Sequence, residues 1–191
     1  MRDTNHELYE EVVIAGFGGQ GIILAGKLLA QTAMTAGKEV TAMPSYGAEM
    51  RGGTANSMVV ISDKPIACPL VTRPDSAIVM SKASLNKFGP RIKEHGLLVY
   101  NSSQVDQKPD LGRGIETIAI PADDIAKQLG NTKATNMVML GAYLAAKGLF
   151  GPEAAAACLP DVLAKRYHHT LPLNSKALSA GAELAKSSTT L

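Results

Sequence analysis

The sequence predicts an α/β protein in which helices cover both faces of a mostly parallel, mixed sheet. Short runs rich in β-branched residues alternate with helix-favouring segments, a glycine-rich loop follows the first such run, and the chain beyond Gly130 favours helix throughout. Strands that alternate with helices form a parallel sheet whose crossover helices lie on its faces, almost always with right-handed connections. We therefore expect a three-layer α/β/α domain.

The first strand and the first helix lie on either side of the glycine-rich loop. Residues 12–15 (VVIA) are typical of a buried strand, and residues 21–36 favour a helix that Gly37 would end. The polar residues of this helix form a single line at four-residue spacing, made up of Lys27, Gln31 and Thr35. Because the rest of its circumference is apolar, we expect the helix to be covered on more than one side.

The next segment predicts an antiparallel element within this alternating pattern. Residues 40–43 form a second strand, which Pro44 closes. Residues 54–61 (TANSMVVI) form a third strand, which we expect to fold back on residues 66–68 through a turn at Asp63 and Lys64. This hairpin would make the sheet mixed.

The remaining elements complete a single domain. Further short strands are predicted at residues 77–80, 97–100 and 115–120, and a helix capped by Ser84 separates the first two. Helices are then predicted from Pro121 onward and over residues 131–147, 152–167 and 175–186. We expect residues 1–191 to form one domain, with a core over residues 12–147 and a helical C-terminal part over residues 152–186.

The composition argues against several kinds of partner and site. The formal net charge is only +2 and no basic block is present, so we expect neither nucleic acid nor an anionic membrane as a partner. The polar start of the chain is unlike a secretory signal, and the longest apolar run, residues 137–146, is shorter than the roughly 20 residues that span a bilayer. We therefore expect a cytoplasmic protein. The 2 cysteines and 4 histidines lack the spacing of an iron–sulfur, zinc or other metal site.

The glycine-rich loop fits the pattern G-x-G-x-x-G through Gly16, Gly18 and Gly21, directly after a strand and before a helix. Free backbone amides and the helix dipole at such a place attract an anion. A nicotinamide site would also need an acidic residue at the end of the second strand, where the sequence has Met43-Pro44-Ser45, so a dinucleotide is disfavoured. A Walker-type nucleotide site would need a Lys-Ser or Lys-Thr pair after the loop. The sequence has no such pair there, so this kind of site is excluded. The loop therefore either packs strand against helix or receives an anion or a partner's backbone.

A second loop, residues 44–53 (PSYGAEMRGG), follows the second strand. In a parallel sheet it would emerge at the same carboxyl edge as the glycine loop, so that both loops face one crevice. Arg51, beside Gly52 and Gly53, suits a phosphate or carboxylate, and Glu49 could orient Arg51 or meet a cation on another chain. The alternative is a solvated loop with one weak ion pair.

The two loops together resemble a known family. "GFGGQGIILAGKLLAQTA" followed by "PSYGAEMRGGTANSMVVIS" is similar to the gamma subunit of 2-oxoacid:ferredoxin oxidoreductases, most closely the 2-oxoglutarate branch. The resemblance continues through "RPDSAIVM", "SLNKF" and "GLLVYNSS" and ends near Lys147. The combination of GGQG with E-M-R-G-G is a more specific signal than G-x-G-x-x-G alone.

The resemblance implies one subunit of an enzyme that decarboxylates 2-oxoglutarate, transfers the succinyl group to coenzyme A and reduces ferredoxin. In that family thiamine diphosphate and the iron–sulfur clusters are held by partner subunits of the alpha, beta and delta types. This chain would then carry neither a thiamine nor a cluster site, no catalytic residue and no metal ligand, and would be inactive alone. Alternatives are a pyruvate-, 2-oxoisovalerate- or indolepyruvate-type subunit and, less favoured, a self-sufficient NAD(P)-binding oxidoreductase.

The resemblance also implies which residues form the cofactor-binding or partner-binding rim. The first wall of the crevice would be the glycine loop, namely Gly16, Gly18, Gly19, Gln20 and Gly21. The second wall would be formed by Tyr46, Glu49, Arg51, Gly52 and Gly53. Weaker candidates, each of which could instead cap or satisfy local backbone, are Asn56, Asn101, Ser102 and Asn136.

Overall fold

The computed structural model describes residues 7–46 and 54–188. Its strands are β1 (Tyr9–Phe17), β2 (Glu39–Tyr46), β3 (Thr54–Ser62), β4 (Ser76–Val79), β5 (Leu97–Asn101) and β6 (Glu116–Ile120). Its α-helices are α1 (Ile22–Thr35), α2 (Lys82–Phe88), α3 (Ala122–Gln128), α4 (Thr135–Lys147), α5 (Pro152–Val162) and α6 (Leu171–Ser188). Short 3₁₀ turns lie at Gly89–Arg91, Thr132–Ala134 and Lys165–Thr170. Among these residues no helix has the length and apolar character needed to cross a membrane.

The strands form one mixed sheet in the order β2-β3-β1-β4-β5-β6. Strands β1, β4, β5 and β6 run parallel to one another, whereas β3 is antiparallel to both of its neighbours, β1 and β2. The predicted class, an α/β fold with a mostly parallel, mixed sheet, is confirmed. Because the parallel strands share a carboxyl edge, the glycine loop after β1 lies at the edge where β4, β5 and β6 also end.

The predicted hairpin partner of β3 was wrong. Residues 66–68 form no strand, and β3 instead lies between β2 and β1, with Ala55 in register with both Tyr46 and Gly16. Two local features explain the error. Residues 66–68 stand between two prolines, which cannot donate to a ladder. Strand β3 is buried on both faces over most of its length, which requires a central position in the sheet.

Three predicted helix boundaries also needed correction. Helix α2 is capped by Ser81 rather than by Ser84, because the Oγ of Ser81 accepts a hydrogen bond from the backbone amide of Ser84 at 3.2 Å. The helix predicted over residues 152–167 ends at Val162, where Leu163 turns to an extended conformation. A 3₁₀ turn follows, and α6 begins at Leu171, earlier than predicted.

The two faces of the sheet are covered unequally. Helices α1, α3, α4, α5 and α6 contribute to one apolar core with Val12 and Ile14 of β1. As predicted, α1 is covered on two sides, by the sheet and by α5. On the opposite face of the sheet, Val13 and Ala15 pack in a cluster with Phe88 of α2 and Val71 of a loop. This second outer layer is thin because residues 102–115 connect β5 to β6 without a helix.

Candidate functional site

The glycine loop is a tight turn that delivers the chain from β1 into α1. The backbone amide of Gln20 donates to the carbonyl oxygen of Phe17 at 3.2 Å, which closes the turn. Gly19 and Gly21 have φ values of 96° and 73°, in the left-handed region that side chains with a Cβ rarely adopt. The glycines at these two positions are therefore required by backbone conformation, whatever else the loop does.

The side chain of Gln20 folds back onto its own loop. Its Oε1 accepts a hydrogen bond from the backbone amide of Phe17 at 2.7 Å, and its Nε2 donates to the carbonyl oxygen of Met80 at 3.4 Å. Gly16 leaves room for this arrangement, because a Cβ there would lie 2.5 Å from the Gln20 Oε1. Gln20 thus ties the turn to the carboxyl end of β4, and a role in binding a ligand stays a prediction.

Asn136 holds the start of α1 from the other side. This buried residue of α4 donates from Nδ2 to the carbonyl oxygen of Gly21 at 3.0 Å. A Cβ on Gly21 would collide with the same amide group. Asn136 is therefore a positioning residue, which fixes the glycine loop against α4.

A crevice of about 280 Å³ opens beside the glycine loop at the carboxyl edge of the sheet. Its lining residues come from the loop, from α3, from the 3₁₀ turn before α4 and from the first residue of α4, and they are Gly19, Gln20, Asp123, Thr132, Lys133 and Thr135. The last four of these are not among the site residues predicted from the sequence. They follow the predicted strand β6, so the rule that ligands bind at the carboxyl ends of parallel strands could have pointed to them.

The Asp123 wall of the crevice is rigidly held. The buried Asn101 at the end of β5 donates from Nδ2 to the Asp123 Oδ1 at 2.9 Å, and its own Oδ1 accepts from the amides of Ser103 and Ala122, each at 3.1 Å. Gln104 donates to the second oxygen of Asp123 at 2.5 Å. Both carboxylate oxygens are therefore engaged within the chain.

The opposite wall carries groups that can attract an anion. Gly18 and Gly19 are exposed, Gly21 offers no side chain to cap α1, and the first turn of α1 contains no acidic residue. The amides of that turn and the ammonium group of Lys133 suit an anion such as a phosphate. The crevice is slightly smaller than the roughly 300–1,000 Å³ of ordinary ligand pockets, so it fits only part of a large cofactor.

The predicted second wall is only partly accounted for. Tyr46 is 70% exposed at the end of β2, at the same edge as Gly16 but two strand spacings, or about 10 Å, away. Glu49, Arg51, Gly52 and Gly53 lie outside the described residues.

The weaker candidates do not form one cluster. Asn136 and Asn101 hold the two walls of the crevice, as described above. Ser102 uses its backbone amide to bond the carbonyl oxygen of Ile120 at 2.8 Å. Asn56 is buried in β3, and its Oδ1 has no hydrogen-bond partner in the described part of the chain.

Other places in the described residues offer less recognisable chemistry. A larger cavity of about 740 Å³ lies between α2 and the loop before β6, with Leu85, Val105 and Leu111 among its lining residues and side chains of both charge signs at its rim. It is separate from the glycine loop. Within residues 7–46 and 54–188, no group of three or more His, Cys, Asp or Glu side chains could hold a metal ion.

Comparison with known proteins identifies a family. The model of the pyruvate ferredoxin/flavodoxin oxidoreductase family matches residues 11–184. The chain is 35% identical to the 2-oxoglutarate synthase subunit KorC of Methanocaldococcus jannaschii, over 97% of this chain and 99% of that protein. It is also 35% identical to the ketoisovalerate oxidoreductase subunit VorA of Methanothermobacter thermautotrophicus, over 92% of this chain but only 36% of VorA, so it spans about a third of that relative.

Solved structures give the same result. The gamma subunit of a keto/oxoacid ferredoxin oxidoreductase from Geobacter sulfurreducens superimposes with a TM-score of 0.79 and 32% identity, over 93% of this chain and 99% of that one. A chain of the 2-oxoglutarate:ferredoxin oxidoreductase from Magnetococcus marinus, solved with 2-oxoglutarate, coenzyme A and succinyl-CoA bound, superimposes with a TM-score of 0.84 and 28% identity, over 95% of this chain and 32% of that one. This chain belongs to the pyruvate ferredoxin/flavodoxin oxidoreductase family.

Proposed function

We propose that this chain is the gamma subunit of a 2-oxoglutarate:ferredoxin oxidoreductase. Such an enzyme converts 2-oxoglutarate and coenzyme A to succinyl-CoA and carbon dioxide and passes two electrons to ferredoxin. The observation that carries the choice of substrate is the end-to-end match with KorC, which covers 97% of this chain and 99% of the relative. VorA is equally identical, but this chain matches only 36% of it.

The reacting groups of the enzyme belong to its other subunits in this proposal. A cluster commonly needs four cysteine ligands, whereas this chain has 2 cysteines. Cys158 is buried with its Sγ 3.6 Å from the hydroxyl of Thr35, and Cys68 is exposed. As the family resemblance implies, the alpha-, beta- and delta-type subunits would hold thiamine diphosphate and the clusters, and this chain would form one wall of the assembled site.

The crevice beside the glycine loop would receive the phosphate-bearing part of coenzyme A. The exposed amides of Gly18 and Gly19, the uncapped first turn of α1 and the charge of Lys133 are the groups that would hold it. The crevice is too small for the whole cofactor, so the rest would lie against another subunit. Coenzyme A is bound in the similar enzyme from Magnetococcus marinus, which supports this choice of ligand.

The substrate is tested with the assembled enzyme. The chain is co-expressed with its partner subunits, and the purified complex is assayed for coenzyme A-dependent dye reduction with 2-oxoglutarate, pyruvate, 3-methyl-2-oxobutanoate and indolepyruvate. We expect the highest kcat/KM with 2-oxoglutarate. A complex that prefers another of these acids would contradict the proposed substrate.

The role of Lys133 is tested in the same assay. Loss of one charge-assisted contact in Lys133→Ala should raise the KM for coenzyme A about three- to tenfold and leave the KM for 2-oxoglutarate unchanged. Lys127→Ala removes an exposed lysine of the neighbouring helix α3 and serves as the matched control. Equal KM values for coenzyme A in the two variants would contradict the proposal that coenzyme A binds in this crevice.

Two other functions each have one observation in their favour. The identity with VorA favours a branched-chain 2-oxoacid, which the substrate panel decides. The G-x-G-x-x-G loop favours a nicotinamide cofactor, although residues 43–46 at the end of β2 include no acidic side chain for the ribose. Calorimetric titration with NAD and NADP tests the second candidate, and the absence of heat at millimolar ligand would reject it.

A further inference from the structure

The crevice beside the glycine loop carries a negative side chain as well as groups that attract an anion. Asp123 lines this crevice together with Gly19 and Lys133. A carboxylate repels a phosphate, and it can accept hydrogen bonds but cannot donate them. A ligand that suits both sides of the crevice must therefore carry a hydrogen-bond donor close to its anionic group.

Asp123 is held in place but can still accept further hydrogen bonds. Its Oδ1 accepts from the Nδ2 of the buried Asn101 at 2.9 Å, and its Oδ2 accepts from the Nε2 of Gln104. A carboxylate offers about four lone-pair sites, so about two of them are left for a ligand. Because the two bonds orient the carboxylate before a ligand arrives, less freedom is lost on binding.

The neighbouring Asp124 differs from Asp123 in its surroundings. Both aspartates lie in the first turn of α3, where a carboxylate favours the helix dipole. Asp124 is exposed, accepts from the Oγ of Ser103 at 3.0 Å and does not line the crevice. A role in the helix alone would account for both residues, but only Asp123 of the two could also meet a ligand in the crevice.

Lys133 is the side chain best placed to hold the anionic group. It is exposed, and none of the ion pairs among the described residues involves it. The hydroxyl of Thr135 beside it already donates to the carbonyl oxygen of Thr132 at 3.0 Å. The ammonium group of Lys133 and the amides of the glycine loop therefore remain for an anion.

Coenzyme A, the ligand proposed for this crevice, has one place where a donor directly adjoins a phosphate. In its phosphorylated ribose, the free 2′-hydroxyl and the 3′-phosphate are on neighbouring carbon atoms. The free hydroxyl nearest to the diphosphate along the pantetheine arm lies several bonds away, on the pantoate group. The crevice volume of about 280 Å³ also favours a compact part of the molecule.

We infer that the crevice binds the 3′-phosphorylated ribose of coenzyme A. The 2′-hydroxyl donates to Asp123, and the 3′-phosphate is held by Lys133 and the amide of Gly19. The inference rests on the proposed function, which supplies coenzyme A as the ligand. Asp123 is then the residue that makes the site specific for a ribose with a free 2′-hydroxyl.

Calorimetric titration of the assembled complex tests the role of Asp123. The two probes are adenosine 3′,5′-bisphosphate, which carries the same phosphorylated ribose as coenzyme A, and its 2′-deoxy analogue. We expect the complex to bind the first probe about tenfold more tightly, as one hydrogen bond to a charged group would give. In Asp123→Ala the two dissociation constants should agree within about twofold. Equal binding of both probes by the unaltered complex, or an undiminished preference in Asp123→Ala, would overturn the inference.

Two further variants make the result specific to Asp123. Asp124→Ala removes the other carboxylate of the same helical turn and should keep the preference of about tenfold. Asp123→Asn preserves the shape of the side chain and one acceptor oxygen, so the preference should fall to about threefold, as for a neutral hydrogen bond. The asparagine variant decides the question if Asp123→Ala binds neither probe. A full preference in Asp123→Asn, or its loss in Asp124→Ala, would overturn the inference.

Adenosine 5′-monophosphate, which lacks the 3′-phosphate, tests where that phosphate binds. Lys133→Ala should weaken binding of adenosine 3′,5′-bisphosphate about three- to tenfold and leave binding of the monophosphate within about twofold. Lys127→Ala is again the matched control and should change neither dissociation constant. Equal weakening of both nucleotides in Lys133→Ala would place the 3′-phosphate elsewhere and overturn the inference.

The inference and the proposed function can fail separately. If Lys133→Ala raises the KM for coenzyme A but binding does not depend on the 2′-hydroxyl, only the inference is contradicted. A complex that shows the Asp123-dependent preference but prefers another 2-oxoacid contradicts only the proposed substrate.

Discussion

Gly19 and Gly21 share a left-handed backbone but differ in what surrounds them. Nothing lies within 4 Å of a Cβ built on Gly19, whereas one on Gly21 collides with the Asn136 amide. Backbone strain should cost either alanine variant about 1–2 kcal/mol. Gly21→Ala should lose about 1 kcal/mol more, because the Asn136 hydrogen bond is displaced. Urea unfolding of both variants measures this difference, and equal losses would show that Asn136 does not hold the loop.

Tyr143 couples the stability of the domain to alkaline pH. Complete burial raises the pKa of its phenol well above the usual value, and the nearby Glu10 carboxylate raises it further. Because the folded chain holds this proton more tightly than the unfolded chain, stability should be constant below about pH 10 and should fall as the pH rises above it. Tyr143→Phe should flatten this fall in unfolding free energy between about pH 9 and 11.

A matched control distinguishes the effect of Tyr143 from other causes of lower stability at alkaline pH. Tyr9 is half-exposed at the start of β1, so Tyr9→Phe should keep the full alkaline decline. At neutral pH, Tyr143→Phe should also lose about 1 kcal/mol, because its hydroxyl donates to Glu10 at 3.3 Å. The same alkaline slope in both variants would assign the decline to another group.

At the scale of elements, α4 and α6 cross at a point where their backbones touch. A Cβ on Gly141 would overlap the carbonyl oxygen of Leu178, and one on Gly181 would overlap that of Val138. Alanine within a helix normally stabilises by about 0.5–1 kcal/mol relative to glycine. Here Gly141→Ala should instead destabilise by about 1–3 kcal/mol, because the helices must separate.

The sign of this change distinguishes packing from helix propensity. Ser179→Ala, at an exposed position of α6, alters the same pair of helices without approaching the crossing. It should leave the unfolding midpoint unchanged or raise it slightly. A midpoint raised by Gly141→Ala would show that the crossing has room for a methyl group.

Elements specified by local sequence were predicted better than those that depend on distant pairing. The strands at residues 12–15 and 97–100 and the helix of residues 21–36 carry their apolar pattern and stop signals within a few neighbours. The partner of β3 could not be found in this way. Its pairing with β1 joins residues such as Ala15 and Asn56, which are far apart in the chain, and no local pattern specifies that choice.

At the scale of the whole molecule, prediction of the candidate site from the sequence has the same limit. Strand order and the glycine loop predict which edge of the sheet is used, because the carboxyl ends of parallel strands meet there. The positions of Asp123 and Lys133 in the crevice depend on how the α3–α4 connection packs beside that loop. The resemblance implies that Gln20 approaches a cofactor or a partner, which stays a prediction, and the structure adds that its amide group bonds Phe17 and Met80. Such tertiary contacts are not visible in one sequence.

The opposite, amino edge of the sheet is held by ion pairs. Lys93 bridges Glu11 and Asp75 at 2.7 and 2.9 Å, about 20 Å along β1 from the glycine loop. Partial burial opposes the charge of Lys93, but its hydrogen bonds to the two carboxylates raise its pKa above the usual value. This stabilisation is present below about pH 10 and is lost at higher pH, as the lysine deprotonates.

Removing this bridge should weaken the fold without affecting the proposed reaction. Lys93→Met leaves the two carboxylates, 16% and 25% exposed, unpaired beside each other, and should cost about 1–2 kcal/mol of unfolding free energy. Lys64→Met breaks a pair whose side chains are 70% and 49% exposed, and should cost no more than about 0.5 kcal/mol. Activity of the assembled enzyme at a permissive temperature should stay within twofold for both variants. A specific loss of activity in Lys93→Met would show that the amino edge contributes to the site, contrary to the placement of function at the carboxyl edge.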